Sequence, residues 1–389
     1  MSTQAPPRPA QRRFDVVVRG GGIVGHTLAL LLARDRLKVA LVAPEPVAGV
    51  PDVRAYALNA ASRALLRSVR AWPEEDAEPA ATSATVTPVH GMEVFGDDGG
   101  ALHFNARPSG HEALSWIVDV PALEQRLAQA VQFQSGIERM SEAPQRTGLT
   151  VVCEGKRSHT REALGFEYDV RPYPHRAVAA RLRCERPHQG IARQWFQNGE
   201  IMALLPLQGE AGHSVALVWS MDTQRAEDFT RLSPEALAAA VQQRCAGALG
   251  EMAMESAAFS WPLELSRARR WVARTAVGNV ALAGDAAHAM HPLAGQGLNV
   301  GLADVATLAQ VLHEREFWRE PGDFKLLRRY ERARQADVNA MGWATDSLFG
   351  LFAQADTRVQ WLRNWGMNGV DRLDGLKRWL SQQAMGTIV

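Results

Sequence analysis

The sequence is poor in cysteine, in long apolar runs and in net charge, and each shortage excludes a class of protein. Three cysteines in 389 residues, none in a C-x-x-C pair, argue against a disulfide framework and against a zinc site, and favour a reducing cytoplasm. No apolar run approaches the roughly 18 residues of a membrane span, and "MSTQAPPRPAQRR" at the start lacks the apolar core of a secretion signal. Lysine plus arginine (43) nearly balances aspartate plus glutamate (42), so nothing indicates a nucleic-acid partner.

Three functional motifs are also missing. There is no G-x-S-x-G nucleophile turn, which leaves serine hydrolysis without support, and no second complete G-x-G-x-x-G unit for a separate nicotinamide domain. His288 and His291 are three positions apart but have no carboxylate or cysteine at ligand spacing, so we expect no metal. What the chain does have is length and an apolar content of 46%, enough for two or three packed domains.

The stretch from Phe14 to Glu45 has the pattern of a βαβ unit. A short valine-rich strand, a glycine turn, an apolar helix and the strand "KVALVA" follow one another. Gly20, Gly22 and Gly25 have the spacing at which a strand-to-helix turn lets the backbone approach a pyrophosphate at the helix N-terminus. This context favours a dinucleotide site; a simple turn is the alternative.

Two positions of this unit depart from the usual pattern. The acid that ordinarily follows the second strand and binds the adenosine ribose would fall at Ala43, and the nearest carboxylate is Glu45, which becomes a candidate for that contact. Arg19 stands directly before the glycines, where an apolar residue is common. We interpret it as a partly exposed strand end rather than a phosphate contact.

The pattern changes between Val170 and Pro262. "RAVAARLRCE", "ARQWFQNGEIMALLPLQ" and "HSVALVWSMD" alternate like half-buried antiparallel strands, with "NG" and "GEAGH" as the turns. A helix follows, with Ser233 as its N-cap and Pro234 in its first turn. We therefore expect a second domain, inserted before the nucleotide fold resumes at Pro262, and a cleft between the two.

"GDAAHAMHPLAGQGLN" (residues 284–299) follows an apolar strand. Asp285 can accept hydrogen bonds from sugar-alcohol hydroxyls, and a helix from Leu298 to about Leu312 offers free N–H groups and its positive end. A reduced flavin, negative on its pyrimidine side, would gain most there. Two distant glycine-rich segments thus predict one extended cofactor, FAD; two unrelated turns are the alternative.

These segments resemble a known family. Gly20 to Gly25, "CEGKRSHTREALG" and residues 284–299 look like the three ordered motifs of the class A FAD-dependent aromatic-ring monooxygenases, with the para-hydroxybenzoate hydroxylase-like fold. "DVRAYALNAASRALL", "GDAAHAMHPLAGQGLNVGLADVATLAQVL" and "YERARQADVNAMGWATDSL" are similar to the ubiquinone-biosynthesis hydroxylases. The resemblance runs nearly end to end and is weakest between Trp72 and Val152.

The resemblance implies an α/β fold: an FAD-binding Rossmann-like domain of the glutathione reductase type, an inserted antiparallel-sheet substrate domain and a helical C-terminal region. We place the FAD-binding domain at residues 14–72, 116–170 and 262–322, the substrate domain at 73–115 and 171–261, and the helical region at 323–389. It also implies NADH or NADPH as reductant, O₂ as oxidant and oxygen transfer through a C4a-hydroperoxyflavin.

The family's site residues carry over by position. Asp285 would contact the ribityl chain, the backbone of Leu298 and Asn299 the pyrimidine edge, and Pro292 the reactive face, with Arg54 close to the cofactor. The middle motif, usually Asp-Gly, reads Glu154-Gly155 here and is followed by Arg157. The resemblance implies that these residues contact FAD and the nicotinamide; a surface loop is the alternative. The remaining candidates for contact with the cofactor are Gly284, Gly295 and Gly297.

The similarity implies a hydrophobic aromatic substrate, a polyprenylated phenol or quinol. Residues 358–380 combine three tryptophans with a net charge of +3, which suggests contact with a membrane surface; packing on the protein itself or on a second subunit is the alternative. We expect a cytoplasmic, membrane-peripheral enzyme that works beside other ubiquinone-biosynthesis proteins. A hydroxylase of small soluble aromatics and a flavin-binding accessory protein without turnover remain as alternatives, and the sequence singles out no general base.

Overall fold

A computed structural model describes residues 14–44, 52–73, 85–96, 99–106, 112–144, 147–289 and 297–353. Its strands are β1 (Val16–Arg19), β2 (Val39–Val42), β3 (Ala55–Leu58), β4 (Val86–Val89), β5 (Gly91–Phe95), β6 (Ala101–Asn105), β7 (Ser115–Asp119), β8 (Ile137–Met140), β9 (Leu149–Val152), β10 (Tyr168–Cys184), β11 (Ile191–Gln197), β12 (Glu200–Leu207), β13 (Ser214–Asp222), β14 (Met252–Met254), β15 (Phe259–Ala268), β16 (Val272–Thr275), β17 (Gly278–Leu282) and β18 (His288–Ala289). Its helices are α1 (Ile23–Arg34), α2 (Ala60–Ser68), α3 (Val120–Gln132), α4 (His159–Ala163), α5 (Thr223–Thr230), α6 (Pro234–Arg244), α7 (Gly297–His313) and α8 (Phe324–Ala353).

Six strands form the sheet predicted for the nucleotide fold, in the order β16-β17-β9-β1-β2-β8. The five strands from β17 to β8 are parallel, and β16 runs antiparallel at the edge. Val18 lies between Leu41 and Val151 in the register, and all three are buried, as expected for strands covered on both faces. The predicted βαβ unit is confirmed as β1, α1 and β2.

The predicted antiparallel strands form a nine-stranded sheet, in the order β18-β15-β10-β13-β12-β11-β5-β6, with β14 also paired to β10. Asn198 and Gly199 both have positive φ in the tight turn between β11 and β12, as the "NG" pair predicts. Ser233 caps α6 by accepting from the Ala236 N–H, also as predicted. One face of the sheet packs against α5 and α6 through an apolar cluster that includes Trp219.

A small third sheet, in the order β3-β7-β4, joins the two larger ones. Ala55 and Ile117 of this sheet share an apolar cluster with Ala216 of the nine-stranded sheet. Pro262 lies in β15, which pairs with β10, and the six-stranded sheet takes up the chain again at Val272. The assignment of residues to domains remains a prediction.

The part of the chain that the structure describes contains no helix long and apolar enough to cross a membrane. Cys153, Cys184 and Cys245 are buried free thiols.

Candidate active site

The glycine turn after β1 is tightly packed at two of its glycines and open at the third. A Cβ on Gly20 would lie 2.3 Å from the carbonyl oxygen of Cys153, and one on Gly25 would lie 2.0 Å from that of Gly20. A Cβ on Gly22 would meet nothing within 4 Å, and Gly22 caps α1 without a side-chain hydrogen bond. There is therefore room beside Gly22 at the N-terminus of α1, where the first N–H groups of a helix have no partner within the helix, and this fits the pyrophosphate of FAD.

Ala43 follows β2, so the described residues place no carboxylate at the position of the ribose acid. Glu45 lies outside the described residues. His26, in the first turn of α1, is 5% exposed, and neither of its ring nitrogens has a hydrogen-bond partner within the described structure. Burial, followed by the charge of Arg139, lowers the pKa of His26 to about 4, so its ring is neutral at pH 7.

Asp285 lies in a 3₁₀ turn that directly follows β17. Gly284 before it has a φ of +62°, a left-handed conformation that favours glycine. Asp285 is exposed to solvent, yet the surrounding protein partly desolvates the carboxyl group and raises its pKa. Arg54 is close enough for its charge to oppose this rise. A carboxylate that solvent reaches can accept hydrogen bonds from a sugar alcohol, as the sequence suggests.

Arg54 is held by Asp52 in a two-pronged ion pair. Its Nε lies 2.8 Å from Oδ1 of Asp52, and its Nη2 lies 2.5 Å from Oδ2. This hydrogen-bonded pair raises the pKa of Arg54, although burial opposes the rise, so Arg54 is permanently charged. Arg54 and Asp285 are thus close enough to interact electrostatically, and contact of either residue with the cofactor remains a prediction.

Asp304 of α7 holds the turn that carries Asp285. Its Oδ2 accepts the Gly284 N–H at 2.9 Å and His288 Nε2 at 2.6 Å, and its Oδ1 accepts Nε of Arg334 at 2.8 Å. Burial acts to raise the pKa of Asp304, but His288 and Arg334 outweigh it and hold the pKa below its ordinary value. Nε2 of His288 is thus occupied by the hydrogen bond to Asp304. Neither Asp304 nor Arg334 was among the residues predicted from the sequence.

The Asn299 side chain fastens the start of α7 to the segment after β3. Its Oδ1 accepts the Asn59 N–H at 3.0 Å and the Ser62 hydroxyl at 2.7 Å, and its Nδ2 donates to the carbonyl of Ala57 at 2.8 Å. This side chain is therefore structural. Gly297 and Leu298 form the first turn of α7 beside it, where backbone N–H groups remain for a ligand.

The polar side chains of the middle motif form hydrogen bonds with one another and with Arg19 at the end of β1. The Glu154 carboxylate accepts hydrogen bonds from Arg19, from the Ser158 hydroxyl, and from both the N–H and the hydroxyl of Thr160. Burial acts to raise the pKa of Glu154, but these bonds lower it below its ordinary value. Arg157, predicted to contact the cofactor, is exposed at the surface.

Arg161 of the middle motif contributes in a way that the sequence did not reveal. It is buried, donates from Nη1 to the carbonyl of Ala286 at 3.3 Å and from Nη2 to that of Lys156 at 2.9 Å, and lies over the Tyr168 ring at 3.5 Å. An arginine in "SHTREA" gives no periodic signal for such a contact. The middle motif thus contacts the turn that carries Asp285 through the Arg161 guanidinium.

Tyr168 of β10 joins the nine-stranded sheet to the same turn. Its hydroxyl donates to the carbonyl of Asp285 at 3.0 Å, and the Ser266 hydroxyl lies 2.8 Å from it. β18, which follows the turn, pairs with β15 of that sheet. The segment from Gly284 to Ala289 is therefore a common border of the two large sheets. Pro292 and Gly295 lie outside the described residues.

Comparison with known proteins agrees with this geometry. The chain matches the family described as FAD binding domain over residues 142–342. It is 30% identical to the ubiquinone hydroxylase UbiL of Rhodospirillum rubrum, covering 97% of this chain and 91% of UbiL. It is 27% identical to the 3-demethoxyubiquinol 3-hydroxylase of Escherichia coli, over 96% of this chain and 98% of that enzyme. The p-nitrophenol 4-monooxygenase PnpA of Pseudomonas putida has a similar fold, with a TM-score of 0.73 at 16% identity over 98% of this chain and 100% of that one.

The two sheets and the glycine turn define an FAD-binding α/β protein. The chain belongs to the FAD-dependent aromatic-ring monooxygenases and, among them, to the ubiquinone hydroxylase family. The resemblance inferred from the motifs and the expected fold class are confirmed. The protein is an FAD-dependent monooxygenase, and NAD(P)H and O₂ are the usual co-substrates of this class.

Proposed function

We propose that the protein hydroxylates the ring of a polyprenylated phenol or quinol in ubiquinone biosynthesis, with FAD as cofactor, NADH or NADPH as reductant and O₂ as oxidant. The names of the relatives in Rhodospirillum rubrum and Escherichia coli support this substrate class. The observation that carries the proposal is the Tyr168 hydroxyl on the carbonyl of Asp285, at 3.0 Å. Because of this bond, the antiparallel sheet borders the turn proposed to hold the flavin.

Several residues would hold FAD, which when bound supplies hydride acceptance from the nicotinamide and the activation of O₂. Gly22 leaves room for the pyrophosphate at the N-terminus of α1, and the Asp285 carboxylate accepts hydrogen bonds from the ribityl chain. The first N–H groups of α7, at Leu298 and Asn299, face the pyrimidine edge in this proposal, and their positive helix end favours negative charge there. Pro292 beside the reactive face remains part of the proposal.

The substrate would lie against the face of the nine-stranded sheet that α5 and α6 leave free. Trp219 and Met221 point toward those helices, so the alternate residues Val218 and Ser220 point away from them. Ala203 pairs with Val218 on this face, and both side chains are partly exposed. The Ser220 hydroxyl is buried and has no partner in the described structure.

The part of this face that is open to a ligand is small and apolar. Ala203 and Val218 are partly exposed there, whereas Ala177, Ala179 and Ala216 are buried by the rest of the protein. Their chemical contribution is apolar contact, orientation of the ring and exclusion of water, which would otherwise compete for the activated oxygen. An apolar surface also suits a prenyl chain, which favours the proposed substrate over a small soluble phenol.

The test is hydroxylation of a short-chain prenylated phenol by the purified holoenzyme, with nicotinamide oxidation and product measured together. We expect the phenol to stimulate NADH or NADPH oxidation and to yield a matched amount of hydroxylated product. Ala203→Trp should lower product formation at least tenfold without altering the dissociation constant for FAD. Ala239→Trp, on the exposed side of α6, is the matched control and should retain full activity.

Two results would contradict this proposal. One is stimulation by small soluble phenols alone, which would favour a hydroxylase of small soluble aromatics. The other is flavin that neither nicotinamide reduces with any phenol present, which would favour an accessory protein without turnover.

We also propose that the protein is cytoplasmic and peripheral to the membrane through residues 358–380, which lie outside the described residues, and that it works beside other ubiquinone-biosynthesis proteins. The sequence pattern alone supports this. Co-sedimentation of the full chain with anionic lipid vesicles tests it. Replacing Trp361, Trp365 and Trp379 with alanine should reduce the bound fraction; equal binding by both proteins removes the proposal.

A further inference from the structure

We propose that Asp304 is a positioning residue for FAD binding, which fixes the backbone at Gly284 and couples it to Arg334 on α8. The Asp304 carboxylate is fully buried and accepts from three donors in three segments: the Gly284 N–H in the turn, the His288 ring after the turn and the Arg334 guanidinium on α8. The first of these bonds reaches the residue next to Asp285. Asp304 thus acts on the cofactor site without touching the cofactor.

The turn needs such a constraint because of its own geometry. Gly284 adopts a left-handed φ of +62°, and a Cβ at this position would lie 3.3 Å from the side chain of Val24 on α1. A glycine in an unusual conformation has no side chain of its own to define its position. The Asp304 bond to its N–H sets the direction in which the chain enters Asp285.

Stability alone is a weak reason for this arrangement. A buried ion pair such as Asp304 with Arg334 contributes little net free energy compared with apolar residues of the same volume, because both charges lose their hydration. What the arrangement does provide is a fixed geometry: a side chain that is itself locked by several hydrogen bonds can hold another group within a fraction of an ångström. We therefore interpret the three hydrogen bonds to Asp304 as a means of fixing the position of the turn.

The network also makes α8 part of the cofactor site. Nη1 of Arg334 donates to Asp337 at 2.7 Å and Nη2 to the carbonyl of Val300 at 3.4 Å. One turn earlier on α8, the Tyr330 hydroxyl donates to the carbonyl of Leu282, at the end of the strand that leads into the turn, at 2.8 Å. A helix from the C-terminal region thus sets the position of a turn on the opposite side of α7.

The test compares the Asp304→Asn protein with a control that loses a different buried carboxylate. An asparagine presents one acceptor oxygen to three donors, so the bond to Gly284 is weakened. We expect the dissociation constant for FAD, measured by fluorescence at a temperature where the apoprotein is folded, to rise at least tenfold. Arg334→Met should also raise the dissociation constant for FAD. Arg334→Lys, which keeps the charge, should bind FAD more tightly than Arg334→Met.

Glu200→Ala is the control. The Glu200 carboxylate is also buried, but it accepts Nε1 of Trp219 at 3.1 Å and Nη1 of Arg225 at 2.6 Å, so it fastens the nine-stranded sheet to α5 and, among the described residues, has no bond to the turn or to α8. We expect its apoprotein melting temperature to fall at least as far as that of Asp304→Asn, while its FAD dissociation constant changes less than threefold. If FAD affinity follows melting temperature across all four variants, or if Asp304→Asn binds FAD like the parent, the positioning role is overturned.

Discussion

The Nε of Arg19 donates to the Oε1 of Glu154 at 3.1 Å and joins the end of β1 to the segment after β9. This pair accounts for two departures from the usual pattern at once: an arginine before the glycine turn, and a glutamate in place of the aspartate of the middle motif. With four donors on its two oxygens, Glu154 is occupied by the protein itself. Its role is to close the middle motif against β1.

A double-mutant cycle on Arg19 and Glu154 tests this relationship. Because both side chains are about three-quarters buried, we expect Arg19→Met and Glu154→Gln to interact by about 1 kcal/mol in the free energy of unfolding. Urea unfolding of the four apoproteins gives the value. Additive effects of the two changes would contradict a direct pair. Glu154→Asp, one methylene shorter, should destabilise the protein more than Arg19→Met does, because its carboxylate cannot reach Arg19, Ser158 and Thr160 together.

Gly22 and Gly25 should respond differently to alanine. Gly22→Ala adds a Cβ to open space, so we expect an unchanged apoprotein melting temperature and at least tenfold weaker FAD binding. Gly25→Ala places a Cβ 2.0 Å from the Gly20 carbonyl oxygen and should lower the free energy of unfolding by about 1–3 kcal/mol. Thermal melts with and without FAD measure both effects. A stable Gly22→Ala protein with parental FAD affinity would exclude the pyrophosphate from this turn.

Asp285→Ala should lose FAD. The carboxylate is proposed to accept hydrogen bonds from the ribityl hydroxyls, and such charge-assisted bonds are worth roughly 1.5–3 kcal/mol each. We expect the purified variant to be colourless or to hold far less than one FAD per chain, by its visible absorption. Asp228→Ala, at an exposed position on α5, should stay yellow. An Asp285→Ala protein with stoichiometric flavin would remove this carboxylate from the site.

The buried His26 makes the stability of the apoprotein depend on pH. Its pKa is about 4 in the folded protein against 6.5 when unfolded, so between these values the unfolded chain binds the extra proton. Stability attributable to this residue is therefore lost as the pH falls, by about 2 kcal/mol between pH 7 and pH 5, at about 1.4 kcal/mol per unit. Urea unfolding at both pH values measures it.

His26→Leu should flatten that dependence, since the variant has no imidazole to protonate. It also removes two buried nitrogens that lack partners, so its stability at pH 7 should be unchanged or higher. His159→Leu, at an exposed site on α4, should keep the slope of the parent. An undiminished slope in His26→Leu would assign the effect to other groups.

Local patterns predicted much of the fold. The β1–α1–β2 unit, the "NG" turn and the Ser233 cap each depend on neighbours within a few residues, and the structure contains all of them. The Asp285 turn and the start of α7 were predictable for the same reason. The contacts that shape the site join distant residues: Arg19 with Glu154 are 135 positions apart, and Arg161 with Ala286 are 125 apart. Such pairs leave no periodic trace in one sequence.

Asp304 illustrates this limit most clearly. On a predominantly apolar helix its carboxylate gave no sign of its partners, because Gly284 lies 20 residues before it and Arg334 lies 30 residues after it. Only the packing of α7 between the turn and α8 brings them together. The sequence could indicate that a carboxylate on an apolar helix needs a partner, but it could not identify that partner.

The strand order has a consequence for synthesis on the ribosome. β1 pairs on one side with β2, which follows it closely, and on the other side with β9, which is made only after the residues of β5 and β6. A nascent chain therefore carries an open, valine-rich edge at Val16–Arg19 until Leu149–Val152 has emerged. Open edges of this kind are sites of aggregation. Translation of the chain at low temperature or with a chaperone that shields such edges should raise the yield of folded protein.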